Sequence, residues 1–556
     1  YKQNAVDGFY QGMPVCYGSL DTIVFDANTA EVIKFKRGDI PSDWYSNQSR
    51  DSLLVIGSTC RNIESGAFDG SYGLEGLFVV PDELETIGDF AFRGCSFEGE
   101  LIIPDTIEYL GSGAFEDCSG FNDVLLIGDG ISEIKAKTFK NCSSINSDII
   151  LGSEIVSIGD EAFYNCNSIS GDIFLGVSLS YIGDYAFYNC LNAVGDLEIP
   201  EDVTYVGDYA FYNCSSLDGD FISIEATGLS YIGNYAFQDC SLMTGPLVMP
   251  ASVSYIGSGA FKNCKGLDSD IDLTLTQINE INEETFFGCS GLLGALIIPD
   301  SVQFIGDRAF LDCVSLSESI TLTNIAARNI GVDAFNTPIQ FSELIISDSV
   351  GEVSQYEFDY FKNDPLYLTM QEGLTGINEY SFSNYAFIGD LDIPLTLRYV
   401  GDAAFSGCEF GGTYIFEDSN IEYIGNYAFY DLDLINGNID VPNVSYVGDG
   451  AFFNNSSIDG YIGFGEIISG VGEYAFANCS SALGDLTLPD SISYLGQFAF
   501  LNCSSLSGTL TLPNNEDYNI IKTGTFKNCS LLSGDLVIHD YISGIEQEAF
   551  LGCSSL

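Results

Sequence analysis

Bases, histidine, tryptophan and methionine are all scarce in this chain. Its 556 residues hold 18 lysines and arginines against 79 aspartates and glutamates, a formal net charge of −61. That field repels phosphate backbones and anionic headgroups, which excludes nucleic acid and simple membrane-surface binding. It leaves cations, basic proteins and neutral ligands such as sugars. The single histidine, His539, fills a strand-end slot that is Pro104, Pro200, Pro250, Pro299 or Pro489 elsewhere, so it reads as a drifted repeat residue. With no second imidazole, no other Ser-His-Asp or Cys-His arrangement can form. Cys-x-x-Cys pairs, Cys/His clusters and phosphate-cradling G-x-x-x-x-G-K-[ST] loops are missing too, and with them the usual zinc and nucleotide sites. The reading is therefore no enzyme and no cofactor. No apolar run reaches the roughly 18 to 20 residues of a membrane helix, so no direct membrane insertion is expected of the chain. Position 1 is Tyr1 rather than methionine, and the last residues, Cys553-Ser554-Ser555-Leu556, break off a phrase that continues elsewhere. A removed signal peptide and a missing continuation are the corresponding expectations.

What the chain does have is one phrase, repeated. Residues 205–250 read YVGDYAFYNCSSLDGDFISIEATGLSYIGNYAFQDCSLMTGPLVMP and state it twice. Aligned on the phenylalanine of Ala-Phe, it recurs 21 times between Phe68 and Phe550, a period of about 24 residues, within the range of stacked solenoid units. One copy cannot bury its own core, so each hides the flank of the next. Coils stacked about 4.8 Å apart predict an array on the order of 100 Å long.

Each unit has three parts. Leu197-Glu198-Ile199 alternates and ends at Pro200, which suits a short strand. A second apolar segment, Tyr205-Val206, follows. Asp208-Tyr209-Ala210-Phe211 then reads as one helical turn, because the position three before the landmark is usually Asp, Ser, Asn or Thr, as capping requires. Residues 1–52 lack the repeat and are expected to cap the first coil, with the lone Trp44 covering its apolar edge. The array then runs over 53–556, irregular around 330–385, where the units of Phe335, Phe358 and Phe382 lack the cysteine and Pro338 and Pro365 intrude.

The phrase Ile-Gly-Asp-Tyr-Ala-Phe-Tyr-Asn-Cys-Ser-Ser-Leu, with Leu-x-Ile-Pro and Val-x-Tyr-Ile-Gly, resembles the BspA-like leucine-rich-repeat family of bacterial and protist surface proteins, over about 500 residues. The resemblance implies a right-handed leucine-rich-repeat solenoid, predominantly parallel β with short helical turns, of about 21 coils. It also implies an extracellular or cell-surface location and a role in adhesion.

Three columns of side chains are candidate features. Fifteen of the 17 cysteines, from Cys95 to Cys553, stand three residues after a landmark and read as packed, reduced thiols. Cys16 and Cys60 lie outside that register and form the candidate disulfide. An acidic column, Glu100, Asp123, Asp148, Asp172, Asp196, Asp220, Asp270, Glu343, Asp390, Asp485 and Asp535, precedes the strands. It is the candidate ligand-binding row, a solvated face or, bridged by oxygen-seeking calcium, a cation row. Tyrosine recurs before the second segment, as in Tyr181, Tyr205 and Tyr231, and before Ala-Phe, as in Tyr185 and Tyr209. Among Asn-x-Ser/Thr triplets, Asn47 and Asn443 are the glycosylation candidates, because Asn141, Asn213, Asn478, Asn502 and Asn528 belong to the repeat turn. The leading functional expectation is a binding or adhesion scaffold for a protein or glycan. The alternative is a self-associating component of a filament, sheath or cell coat.

Overall fold

The computed structural model describes residues 8–10, 13–15, 21–29, 31–219, 228–322, 329–335, 341–355, 357–415, 420–432, 434 and 436–556. They fall into two compact units, the first made mainly of residues up to Gly294 and the second mainly of Thr337–Leu556.

In the first unit, two parallel ladders carry the repeat. One runs through Ser52–Val55, Leu74–Leu77, Ser96–Ile103, Phe121–Ile127, Ile149–Ile150 and Ile173–Phe174. The other joins Glu133–Ile134, Ser157–Ile158, Tyr181–Ile182, Tyr205–Val206, Tyr231–Ile232 and Tyr255–Ile256. In that second ladder every Ile or Val is buried while the residue before it faces out, the period-2 alternation of a half-buried strand. The landmark phenylalanines stack behind the ladders, with ring centroids 5.0 to 5.9 Å apart from Phe68 to Phe335.

The N-terminal segment reverses the pattern. Asp21–Asp26 pairs antiparallel with Val32–Arg37 on one side and Ser52–Val55 on the other, so the repeat ladder starts from an antiparallel edge. Trp44 is buried edge-on against Phe68, the first ring of the stack, at 5.6 Å and 84°.

In the second unit the same order resumes. Seven strands, from Glu352–Val353 to Tyr494–Leu495, form one parallel ladder, and the rings from Phe358 to Phe550 stack at 5.1 to 6.1 Å. The irregular stretch has its own solution. Glu343–Ile346 pairs with Ser319–Leu322 and with Tyr367–Met370 over four residues each, longer than the usual two. Tyr385 takes the buried slot of the missing cysteine and donates its hydroxyl to Asp359 Oδ1 at 2.9 Å, beside the 3-10 turn Asp359–Phe361. Pro338 lies outside the described residues.

The expected helical turn is a different structure. In Asp208-Tyr209-Ala210-Phe211 the second residue is left-handed, with φ of 56° at Tyr209, and 56° and 55° at Tyr185 and Tyr235. A second left-handed residue follows each landmark by two, at Asn189 and Asn213 with φ of 60° and 59°. A bulky L-residue pays roughly 1 to 2 kcal/mol for that conformation. Bonds to the next coil offset it: the amides of Tyr185, Phe187 and Asn189 donate to the carbonyls of Asp208, Ala210 and Tyr212 at 2.7 to 2.9 Å. The turn thus forms a third ladder, which a helix closing its amides internally could not provide.

The capping residues have different partners for the same reason. Asp184 Oδ1 accepts from the amide of Asp208, Asp208 Oδ1 from that of Asn234, and Asn234 Oδ1 from that of Ser258, at 2.7 to 2.9 Å. Each side chain satisfies the next coil instead of its own turn. Asp208→Ala, which orphans a half-buried amide, is expected to cost about 1 kcal/mol in urea unfolding, and Asp208→Asn, which keeps the acceptor, about none.

Candidate ligand-binding surface

Three rows of stacked tyrosines run along the first unit. Tyr181, Tyr205, Tyr231 and Tyr255 stack at 4.9, 4.7 and 4.8 Å, with planes within 11° of parallel. Tyr185, Tyr209 and Tyr235 stack at 4.8 and 5.1 Å. The third row, Tyr164, Tyr188 and Tyr212, stacks at 4.8 and 4.7 Å and leans on the second, with Tyr185 and Tyr188 5.6 Å apart. Sequence reasoning missed this row, although tyrosine directly after the landmarks Phe163, Phe187 and Phe211 was its signal. Near-parallel stacking turns each ring face toward its neighbours, so the rows offer solvent their edges and hydroxyls. Burial, reinforced by nearby carboxylates such as Asp184 and Asp208, pushes the hydroxyls of Tyr181, Tyr205, Tyr209 and Tyr231 up, which keeps them protonated donors.

The acidic column is built into the ladder. Asp148 Oδ1 accepts the amide of Asp172 at 3.1 Å, Asp390 Oδ1 that of Thr413 at 2.7 Å, and Asp485 Oδ1 that of Thr509 at 2.6 Å. The bond from Thr509 holds the Asp485 carboxyl below its usual range. This explains the glycine before Asp172 and Asp196: an ideal Cβ at Gly171 would fall 2.0 Å from Asp148 Oδ1, and one at Gly195 2.2 Å from Asp172 Oδ1. Glu343 accepts from the Thr369 hydroxyl, and Asp123 Oδ1 from the amide of Val124 at 2.9 Å. Glu100, Asp196, Asp270 and Asp535 are exposed, and Asp220 lies outside the described residues. Among the described residues no three His, Cys, Asp or Glu side chains gather where they would hold a metal ion. One oxygen per rung goes to an amide of the next coil, which is how several of these rungs are occupied.

A profile of the BspA type leucine rich repeat region (6 copies) matches residues 38–169, 132–268, 269–385, 328–459 and 422–556. The chain belongs to the BspA-type leucine-rich-repeat family. Among solved structures, a leucine-rich repeat protein of Bacteroides ovatus is 19% identical over 87% of this chain and 90% of its own, at a TM-score of 0.35. A leucine rich repeat protein of T. pallidum is 27% identical over 31% of this chain and 78% of its own, at 0.27. A leucine rich cell surface protein of Faecalibacterium prausnitzii is 15% identical over 92% and 95%, at 0.21. No curated protein is significantly similar to the chain.

In this BspA-type array the cysteine column is packing. Each Sγ points to the carbonyl of the previous coil's landmark, as from Cys118 to Phe92 at 3.0 Å and from Cys408 to Phe382 at 2.9 Å, and all these thiols are free. In the unit of Phe452 the slot holds Asn455, whose amide donates to the Phe429 carbonyl at 2.8 Å. An amide serving in its place marks the thiol as a shape and a weak donor rather than a reactive group. Cys60 is a buried free thiol, and its candidate partner Cys16 lies outside the described residues. Asn47 is exposed and Asn443 half-buried. The turn asparagines are engaged with one another, Asn213 Nδ2 reaching Asn189 Oδ1 at 2.9 Å and Asn502 Nδ2 reaching Asn478 Oδ1 at 2.8 Å. His539 keeps the proline's part, its carbonyl accepting from Ile542 at 3.0 Å as that of Pro489 does from Ile492 at 3.1 Å. No helix among the described residues is long and apolar enough to cross a membrane.

Proposed function

We propose that this chain is a non-enzymatic binding scaffold, secreted or displayed at the cell surface, which holds a protein or glycan ligand along its repeat face. The observation that carries the reading is the triple tyrosine row: ten hydroxyl-bearing edges in fixed register, flanked by carboxylates. Stacking restrains the rings before contact, so little side-chain entropy remains to be lost on binding, and the hydroxyls select by hydrogen bonding.

The test is a plate assay of the full chain against collagen, fibronectin and neutral glycans at physiological salt. Saturable binding to at least one is expected. The variant Tyr185→Ser/Tyr188→Ser/Tyr209→Ser is expected to weaken it at least about tenfold, with each lost hot spot worth on the order of 1 kcal/mol. No saturable binding, or an unchanged variant, rejects the reading. Ordered polymers of the chain in negative stain would instead favour a coat or filament component.

A further inference from the structure

The first ladder stops at Ile173–Phe174 although the sequence does not. The amides of Ile149 and Leu151 donate to the carbonyls of Asp172 and Phe174 at 3.0 and 3.2 Å, so this strand is paired on its near side. On its far side the next coil brings Leu197-Glu198-Ile199, which has the same alternation yet forms no strand. Among the described residues no backbone hydrogen bond joins 173–175 to 196–200. Pro200 has no amide to give. A groove of about 760 Å³ opens along this break.

The groove has two chemically distinct walls. Ile173 and Ile199 are buried on its inner side, while Phe174 is 50% and Val177 74% exposed on its outer side. Asp172, Asp196, Glu198, Glu201 and Asp202 line it, and among the described residues no lysine, arginine or histidine does. Unpaired strand edges accept an added strand, whose main chain supplies affinity and whose alternate side chains supply specificity.

We infer that the edge of Ile173–Leu175 is a docking site for an extended, basic peptide segment of a partner protein, added as a strand. Its apolar side chains turn toward Ile173 and Ile199. Its lysines or arginines turn outward between the Phe174 ring and the Glu198 carboxylate, where charge and cation–π attraction act together. The site lies apart from the tyrosine rows and stands independently of the function proposed for them.

The probe is acetyl-Lys-Val-Lys-Val-Lys-Val-Lys-amide carrying a fluorophore, titrated with the full chain and read by anisotropy. Saturable binding at one site is expected. Two analogues carry N-methyl groups on the valine amides or on the inner lysine amides; they keep the charge and remove backbone donors from one edge or the other. At least one of them is expected to bind about tenfold more weakly. Glu198→Lys/Asp202→Lys, both exposed, is expected to weaken the parent peptide about tenfold. Glu466→Lys/Glu516→Lys, the same charge change in the second unit, is expected to leave it within about twofold, and the tyrosine triple variant to leave it unchanged. Equal binding of all three peptides, or equal losses from the two charge-reversed variants, shows attraction to the net charge alone and overturns the inference.

Discussion

Raising the pH from 7 to about 10.5 is expected to unfold this chain. Burial pushes the thiols of Cys166, Cys289, Cys408 and Cys479 up to about 12, against roughly 8.5 for a thiol in an unfolded chain. Because the folded values are raised, the stabilisation is complete below the unfolded value and is lost as pH climbs from there toward the folded one. At pH 10.5 the unfolded state has gained about 3 kcal/mol of ionisation free energy per thiol, so these four together remove on the order of 10 kcal/mol. That is comparable with the whole stability of an ordinary domain, roughly 5 to 15 kcal/mol. The thiols of Cys95, Cys118, Cys142, Cys190, Cys240, Cys264, Cys313 and Cys503, pushed up by the same burial, act in the same direction, as does Tyr446, whose hydroxyl burial raises to about 12. Far-UV circular dichroism with a phosphine reductant present is the measurement. A midpoint below pH 10.5 is expected, together with thiols inert to Ellman's reagent at pH 8 until urea is added. Native signal persisting at pH 11, or rapid labelling of the folded chain, would refute the packed, neutral column.

Removing one ring from the phenylalanine stack is expected to have the largest single-residue effect. Phe211 is fully buried between Phe187 at 5.2 Å and Phe237 at 5.4 Å, with planes within 6° of parallel. Phe211→Ala removes a ring from two interfaces at once and leaves a cavity that the ladders on either side hold open. A cost of about 3 to 5 kcal/mol follows. Coupling in such arrays passes chiefly between neighbours, so hydrogen exchange is expected to rise first in the coils of Phe187, Phe211 and Phe237 while the amides around Phe452 and Phe476 stay protected. A loss below about 1 kcal/mol, or deprotection spread evenly along the chain, would show that the stack does not bear the stability assigned to it.

Much of this was legible because stacking copies one environment along the chain. Most landmarks occupy the same pocket between two like neighbours, so the phenylalanines from Phe92 to Phe526 could be aligned from sequence alone, and the cysteines after them read as packing. The tyrosines before Ile or Val were legible through strand alternation, since one buried position forces its neighbour outward. The turn misled because Asp and Ser before a landmark look the same whether they satisfy their own amides or those of the next coil. Tyrosine at a left-handed position, as in Tyr209, also runs against its local preference, and only the bond to the following coil makes that conformation tenable.

Composition and period alone determined that the chain is an acidic stack of parallel coils lacking the imidazole partners of common catalytic arrangements, because those properties follow from counts and spacing. The tertiary structure decided which amide each aspartate meets, that the tyrosines stack in three rows, two of them in contact, and that the ladder parts beside Phe174. Those outcomes depend on how one coil settles on the next, and a repeat seen one copy at a time carries no record of it.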